Sequence, residues 1–303
     1  MAKHERTILC AIDLSDLSAP VLAAAAEMAE LYSARLLVVH CVELWDSRYD
    51  FMVPEIAGRI EKDAREKLQA ELAHLRKSNV VPLDVIVEKG PPLPVLRKTI
   101  VERRPDLVVI GSHGRRGIDA MVLGNTADKV LRMSPSSVLV VRPHKNPDIQ
   151  SIVCAVDFSE CSRTALEHAL EIAQGEGIAS IKVAHVFEVP IGYMEAGMTY
   201  ESALAKTRAH HQKELTEFLK LFDGRPVKCE PAIEEGPPAA TMVKFAEQSG
   251  ADLLVIGAHG RSALTSWLFG GVSTSIVHRA TMPVLVVKDP RHYESLWQAL
   301  DRL

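Results

Sequence analysis

Short apolar runs alternate with longer segments of helical period along the chain of 303 residues. In the first half, the apolar runs occupy residues 8–12, 36–42, 83–88, 107–110 and 137–141. Apolar runs of this length are typical of strands buried on both faces of a parallel sheet. Segments with the length and period of helices lie between them, at residues 21–31, 54–77, 93–103 and 124–133. The pattern therefore predicts an α/β fold in which helices cover both faces of a parallel sheet of five strands.

The second half of the chain repeats the pattern of the first. DLVVIGSHGR at residues 106–115 is answered 146 residues later by DLLVIGAHGR at residues 252–261. The same spacing relates EKGPP to EEGPP and one VLVV segment to the other. A repeat of this extent is typical of tandem duplication. We predict two domains, residues 1–146 and 147–290, and a C-terminal helical tail over residues 291–303, where apolar residues recur at helical spacing.

Composition narrows the class of partner. Hydrophobic residues make up 47% of the chain and charged residues 24%, which is typical of a globular protein. The formal charge of −4 argues against a basic surface that could bind a nucleic-acid backbone. Aromatic residues make up only 5% of the chain, which leaves few rings to stack on bases. The chain has no apolar run of membrane-spanning length and does not begin with a secretory signal. We expect a cytoplasmic protein that binds neither nucleic acid nor membrane.

Each predicted domain carries a glycine-rich segment directly after its fourth strand. In both copies the order is glycine, two residues, glycine, nine residues and a further glycine at the start of a helix. The glycines are Gly111, Gly114 and Gly124 in the first copy and Gly257, Gly260 and Gly270 in the second. Backbone amides at such glycines can approach an anion closely, and the helix start adds its dipole and N–H groups. The repeated spacing therefore predicts a phosphate site in each domain.

A carboxylate ends the first strand of each copy, Asp13 in one and Asp157 in the other. Ligands of open parallel sheets bind beyond the carboxyl ends of the strands, so these side chains are expected near the phosphate site, where they can accept hydrogen bonds from ribose hydroxyls. An alternative interpretation is that the glycines only turn the chain and that each Asp caps the first helix. Neither loop matches the phosphate-binding loop of P-loop ATPases.

These features together resemble the universal stress protein family, in its nucleotide-binding branch. The resemblance rests on the spaced glycines, the Asp at the end of the first strand and the closing Val-Leu-Val-Val strand, and it covers almost the whole chain as two family domains in tandem. It implies an open, Rossmann-like sheet in each domain, with the strand order 3-2-1-4-5. It also implies the binding of ATP, ADP or AMP, with Mg²⁺ accompanying a triphosphate. It also implies pairing through the last strands, which would form an internal pseudo-dimer and allow a homodimer.

The resemblance assigns roles to individual residues. Asp13 and Asp157 would hold the ribose, and the backbones of Cys41 and Val186 would contact the adenine edge. The residues expected around the phosphates are Gly111, Ser112, Gly114, Arg115, Gly124, Asn125 and Thr126 in the first copy. In the second copy they are Gly257, Ala258, Gly260, Arg261, Gly270, Gly271 and Val272.

The chain departs from the family pattern at one position. Asn125 and Gly271 stand where the family has Ser or Thr, which removes or alters one side-chain hydrogen bond in each copy. The hydroxyls of Thr126 and Ser273, one and two positions further along, are the candidate replacements.

No set of residues suited to catalysis occurs at matched places in both copies. A carboxylate dyad and a Ser-His-Asp arrangement are both missing from the pattern, and His210 and His211 lack the spacing of a helical metal pair. We assign no catalytic residue and no metal ligand. The sequence predicts a regulatory, ATP-binding protein that acts in a stress response through nucleotide-dependent conformation or assembly. A nucleotide-free interaction scaffold and a slow ATPase are the alternatives.

Overall fold

The computed structural model describes residues 6–43, 54–78, 83–114, 123–143, 148–260 and 270–288. The chain divides into two compact units, one on each side of Pro143. Arg115, Arg261 and the predicted C-terminal tail lie outside the described residues.

The first unit is a parallel sheet covered by helices. Its strands are β1 (Thr7–Ile12), β2 (Arg35–Val42), β3 (Leu83–Lys89), β4 (Leu107–Gly111) and β5 (Ser137–Val141). Its helices are α1 (Ser18–Leu31), α2 (Pro54–Ser78), α3 (Pro92–Arg103) and α4 (Asn125–Met133). The strands pair in the order β3-β2-β1-β4-β5, and every pair is parallel.

The second unit repeats this arrangement. Its strands are β6 (Ile152–Ala155), β7 (Ser180–Phe187), β8 (Lys228–Glu235), β9 (Leu253–Gly257) and β10 (Val284–Val287). Its helices are α5 (Glu160–Gly175), α6 (Tyr200–Leu219), α7 (Pro238–Gln248) and α8 (Gly271–Arg279). The order β8-β7-β6-β9-β10, again all parallel, corresponds to β3-β2-β1-β4-β5. The predicted α/β fold with two parallel sheets is confirmed.

Burial follows position in the sheet. The central strands β1 and β4 are almost wholly buried, because helices cover both of their faces. By contrast, β3 and β8 each pair with one described neighbour and are largely exposed or half-buried. Charged residues occupy several of their positions, and Pro231 interrupts the donor row of β8.

Asp106 and Asp252, at the start of the repeated segment that contains each glycine loop, have a structural role. Asp106, just before β4, accepts a hydrogen bond from the backbone N–H of Thr7 at 2.8 Å. Asp252, just before β9, accepts from the backbone N–H groups of Gln150 and Ser151 at 3.0 and 2.9 Å. Both carboxylates therefore anchor the start of the neighbouring strand, at the end of the sheet opposite to the glycine loops.

One histidine in the second strand of each unit is part of the core. His40 and His185 are buried. Their Nδ1 atoms lie 3.0 Å from the carbonyl oxygen of Ile12 and 2.8 Å from that of Val156. Each ring thus ties the second strand to the backbone immediately before Asp13 or Asp157.

The helices among the described residues are too short or too polar to cross a membrane.

Candidate functional site

Each predicted ribose-binding Asp lies against the second glycine of its loop. A Cβ atom added to Gly114 would lie 2.7 Å from Oδ2 of Asp13, and one added to Gly260 would lie 2.7 Å from Oδ2 of Asp157. Real Cβ atoms essentially never approach another heavy atom this closely. Glycine therefore lets the loop backbone and the carboxylate share the carboxyl edge of the sheet, in the same way in both units.

The other carboxylate oxygen of each Asp holds the turn that follows it. Oδ1 of Asp13 accepts from the backbone N–H of Ser15 at 3.0 Å and from the hydroxyl of Ser18 at 3.4 Å. Oδ1 of Asp157 accepts from the backbone N–H and the hydroxyl of Ser159 at 3.2 and 2.6 Å. These bonds fix the carboxylate orientation, with Oδ2 towards the glycine loop.

The alternative that each Asp is the N-cap of the first helix is wrong. The N-cap position of α1 is Leu17, and that of α5 is Ser159, whose side chain accepts from the backbone N–H of Ser162 at 3.2 Å. The Asp residues precede these positions and brace the turn that leads into each helix.

The residue after each Asp has a left-handed backbone, which the sequence did not indicate. Leu14 has φ of 60° and Phe158 has φ of 65°. A bulky residue in this region costs on the order of 1 kcal/mol, and such strain concentrates at functional sites. Because both units carry it at the same step, we attribute it to the sharp exit from the strand that leaves the carboxylate at the sheet edge.

The first glycine of each loop allows β4 and β9 to pack closely on a helix. A Cβ on Gly111 would lie 2.9 Å from Cδ2 of Leu17. A Cβ on Gly257 would lie 3.1 Å from the backbone carbonyl carbon and from Sγ of Cys161, and 3.2 Å from the backbone nitrogen of Ser162. The contact at Gly111 is the shorter of the two, but it meets a side-chain methyl that can move, whereas the contacts at Gly257 include backbone atoms that cannot move as easily.

We predict that Gly257→Ala lowers the free energy of unfolding by about 1–3 kcal/mol, as overpacking against fixed atoms does. Gly111→Ala is the matched control and should cost less, because the Leu17 side chain can change rotamer. Urea denaturation of both variants tests this. Equal losses would show that the backbone of α5 yields as easily as the leucine side chain.

The third glycine of each loop stands at the N-cap of the following helix. The backbone N–H of Gly124 donates to the carbonyl oxygen of Ser112 at 2.6 Å, and that of Gly270 donates to Ala258 at 3.0 Å. Among the described residues, no side chain caps the start of α4 or α8. The first N–H groups of both helices thus have no side-chain partner there, which is the arrangement that binds an anion.

Ser112 and Ala258, between the first two glycines, use their backbone groups inside the unit. Their N–H groups donate to the carbonyl oxygens of Val141 and Val287 at 2.8 and 2.9 Å. The hydroxyl of Ser112 is buried and lies 3.0 Å from Nδ1 of His113. These two residues therefore shape the loop, and direct contact with a phosphate stays a prediction for them.

The helix starts carry different side chains in the two units. Asn125 is exposed and Thr126 is half-buried at the start of α4. Gly271 is exposed at the start of α8, and Val272 has 49% of its surface exposed. The hydroxyl of Ser273 is buried and donates to the carbonyl oxygen of Gly257 at 2.8 Å. Of the two candidate replacement hydroxyls, Ser273 is therefore committed to the strand end.

The residues expected at the adenine edge lie near the carboxyl ends of the second strands. Cys41 is opposite Glu88 of β3, and Val186 is opposite Glu234 of β8. Burial, with the nearby Glu88 and Glu43 carboxylates, raises the pKa of Cys41 to about 12. Its thiol is thus neutral at physiological pH. The backbone contact with adenine stays a prediction.

The second unit has an aromatic cluster beneath this edge that sequence reasoning missed. The Phe158 ring lies 4.4 Å from that of His185, which lies 4.8 Å from that of His211. His211 also stacks on Phe187 at 5.3 Å, and its Nδ1 is 3.0 Å from Oε2 of Glu214. Aromatic spacing along the chain gave no signal, because the rings come from a turn, a strand and a helix. In the described part of the chain, no group of three or more acidic, His or Cys side chains is placed to hold a metal ion.

Comparison with known proteins identifies a protein family and several relatives that are similar to this chain. The sequence profile of the Universal stress protein family matches residues 5–142 and again residues 148–288. A universal stress protein of Mycolicibacterium smegmatis is 26% identical over 296 residues, which cover 94% of this chain and 97% of that protein. A universal stress protein of Methanocaldococcus jannaschii is 34% identical over 143 residues, which cover 47% of this chain and 84% of that protein.

Solved structures with the same fold span nearly the whole chain. A protein of Pseudomonas aeruginosa described as functionally unknown has a TM-score of 0.68 at 18% identity, covering 99% of this chain and 98% of its own. A universal stress protein of Archaeoglobus fulgidus has a TM-score of 0.64 at 20% identity, covering 94% of this chain and 99% of its own. At these identities the likeness shows the fold.

Proposed function

The chain belongs to the universal stress protein family, as two tandem copies of the family's domain, and we propose that each copy binds an adenine nucleotide, with ATP as the first candidate. The nucleotide would then control conformation or assembly in a stress response. The site lies at the carboxyl edge of each sheet, where the glycine loop, the Asp and the start of α4 or α8 meet.

One observation carries the proposal: the pairing of a fixed carboxylate with a loop glycine, repeated in both units. Oδ2 of Asp13 faces Gly114 and Oδ2 of Asp157 faces Gly260 at the same distance. In both units this approach of the carboxylate to the loop lies next to a residue with left-handed backbone and to a helix start whose N-cap residue makes no side-chain hydrogen bond. A carboxylate and an anion site side by side suit the ribose and the phosphates of a nucleotide.

The roles of the residues follow from their chemistry. The Asp carboxylate accepts hydrogen bonds from ribose hydroxyls, because an ionised carboxylate is an acceptor only. The N–H groups at the start of α4 or α8 donate to phosphate oxygens, and the helix dipole favours their negative charge. Mg²⁺ would neutralise part of the charge of a triphosphate, and it would be supplied with the nucleotide.

Mass spectrometry of small molecules released from the purified, denatured protein tests the proposal, together with calorimetric titration with ATP, ADP and AMP. We expect an adenine nucleotide in the released fraction or a saturable titration, with a stoichiometry of up to two. A ligand that binds only the native state must also raise the melting temperature. No release, no binding heat and an unchanged melting temperature would contradict nucleotide binding and leave an interaction scaffold.

A slow ATPase is separated from a binding protein by steady phosphate release. The variant Gly114→Ala/Gly260→Ala provides the background rate, because a Cβ at either position would displace the Asp carboxylate. Release above that background favours hydrolysis. Pairing of the copies through β5 and β10, a homodimer and a cytoplasmic location stay predictions.

A further inference from the structure

We infer that the two sites differ in ligand class: the first unit recognises the terminal phosphates of adenosine di- and triphosphates, and the second unit recognises an adenine nucleotide without using them. This inference rests on the proposed function, because it divides the nucleotide sites proposed above.

The half of the site that would hold the ribose cannot distinguish the units. Each Asp lies at the same distance from its loop glycine, each is braced by a following serine, and each is followed by a residue with left-handed backbone. A difference in ligand preference must therefore come from the phosphate end.

In the first unit, polar side chains stand at the phosphate end. Asn125 and Thr126 add an amide and a hydroxyl to the backbone N–H groups of α4, and both are at least partly exposed. The buried hydroxyl of Ser112 holds one ring nitrogen of the loop residue His113 at 3.0 Å, which fixes the ring orientation. Donors of this kind form charge-assisted hydrogen bonds with phosphate oxygens, which are stronger than neutral ones. Each further phosphate can thus gain a side-chain partner here.

In the second unit His259 matches His113, but among the described residues the positions that match Ser112, Asn125 and Thr126 carry no polar side chain. Ala258 replaces the buried serine, and α8 begins with Gly271 and Val272. The nearest hydroxyl, that of Ser273, already donates to the carbonyl oxygen of Gly257 at 2.8 Å. The half-exposed Val272 side chain would remove water from a terminal phosphate without replacing its hydrogen bonds, which disfavours a charged group. The backbone N–H groups of α8 still serve one phosphate.

The test exchanges the two helix starts within the full chain. Asp157→Ala is expected to disable the second site, so that the first can be measured alone. Asp13→Ala is expected to disable the first site, so that the second can be measured alone. In each background the dissociation constants of AMP, ADP and ATP are determined by calorimetry without added metal. We expect ATP to bind the first site about tenfold or more tightly than AMP, the effect of one charge-assisted hydrogen bond, and the second site to bind both within about threefold.

The exchange variants should then change the ratio of ATP to AMP affinity at each site. Asn125→Gly/Thr126→Val in the first background should reduce the ratio of ATP to AMP affinity about tenfold. Gly271→Asn/Val272→Thr in the second should raise it by a similar factor, and a Cβ at Gly271 meets nothing within 4 Å. Ser273→Ala in the second background is the control, because its hydroxyl serves Gly257, and the ratio should not change. If a double exchange folds poorly by thermal melting, Thr126→Val or Val272→Thr alone makes the same test.

Equal ATP to AMP ratios at the two sites, or ratios that the exchanges leave unchanged, would overturn the inference while the proposed nucleotide binding stands. No binding of any of the three nucleotides to the unmodified chain would overturn both. The two failures are therefore distinguished by the titration of the unmodified protein.

Discussion

Replacing the two carboxylates that we propose to hold the ribose, in Asp13→Ala/Asp157→Ala, should weaken ATP binding by roughly hundredfold or more. A carboxylate that accepts from two ribose hydroxyls makes two charge-assisted hydrogen bonds, each contributing on the order of 1.5–3 kcal/mol. The Ala variant also releases the Oδ1 bonds that brace the following turn, so the glycine loop loses the neighbour that shapes it. Calorimetric titration measures the affinity, and circular dichroism checks that the fold is retained.

The control for this variant replaces nearby carboxylates that face solvent. Asp16 and Glu160 are exposed, and each lies three residues beyond the loop-facing Asp of its unit, so Asp16→Ala/Glu160→Ala changes the net charge by the same amount. ATP affinity should stay within about threefold of the unmodified chain, since exposed charges at this distance are screened by salt. A folded Asp13→Ala/Asp157→Ala protein that binds ATP as tightly as this control would contradict the assignment of the carboxylates.

The second prediction with a large expected effect concerns stability. It replaces Asp252, which lies at the end of the sheet opposite to the proposed nucleotide site. Asp252→Ala should lower the free energy of unfolding by about 2–3 kcal/mol. It removes the acceptor of two backbone N–H groups, those of Gln150 and Ser151, at a side chain that is only 6% exposed. Both bonds have a charged acceptor in a partly buried place, and hydrogen bonds to charged groups contribute about 1.5–3 kcal/mol.

The matched variant is Asp106→Ala in the first unit. Asp106 is exposed, and its hydrogen bond from the backbone N–H of Thr7 lies in an exposed place that water can reach after the substitution. We expect a loss of about 1 kcal/mol or less. Urea denaturation of both variants measures the difference, and nucleotide affinity should be unchanged in each. A larger loss for Asp106→Ala would show that exposure does not set the cost.

The strands and helices could be predicted because two signals agreed. The apolar runs predicted the bounds of β1, β4 and β5 within one or two residues. Strands that are buried on both faces have few polar positions, so their apolar runs are continuous and easy to delimit. The start of α1 was placed three residues late, at residue 21 instead of Ser18, because the cap-forming residue that the sequence suggested, Asp13, is not the N-cap, and Leu17 at the N-cap has no side chain that can cap the helix.

Spacing identified the candidate site, but it could not divide roles among the repeated residues. Asp252 lies in the most similar stretch of the repeat, yet it anchors a strand; Asp157, in a weaker stretch, faces the glycine loop. Ser273 was as good a donor as Thr126 by sequence, and only the bond from its hydroxyl to Gly257 separates them. Such assignments depend on side-chain direction, which a single sequence does not encode.

The outer strands limit how copies of this protein could associate. An incoming strand would need a straight row of open backbone groups, but Pro231 leaves a gap in β8 and the charges of β3, Asp84, Glu88 and Lys89, would meet those of a neighbour. Fibre-like growth by adding sheets to these margins is therefore discouraged. A homodimer of this protein is therefore expected to form through a surface other than β3 and β8.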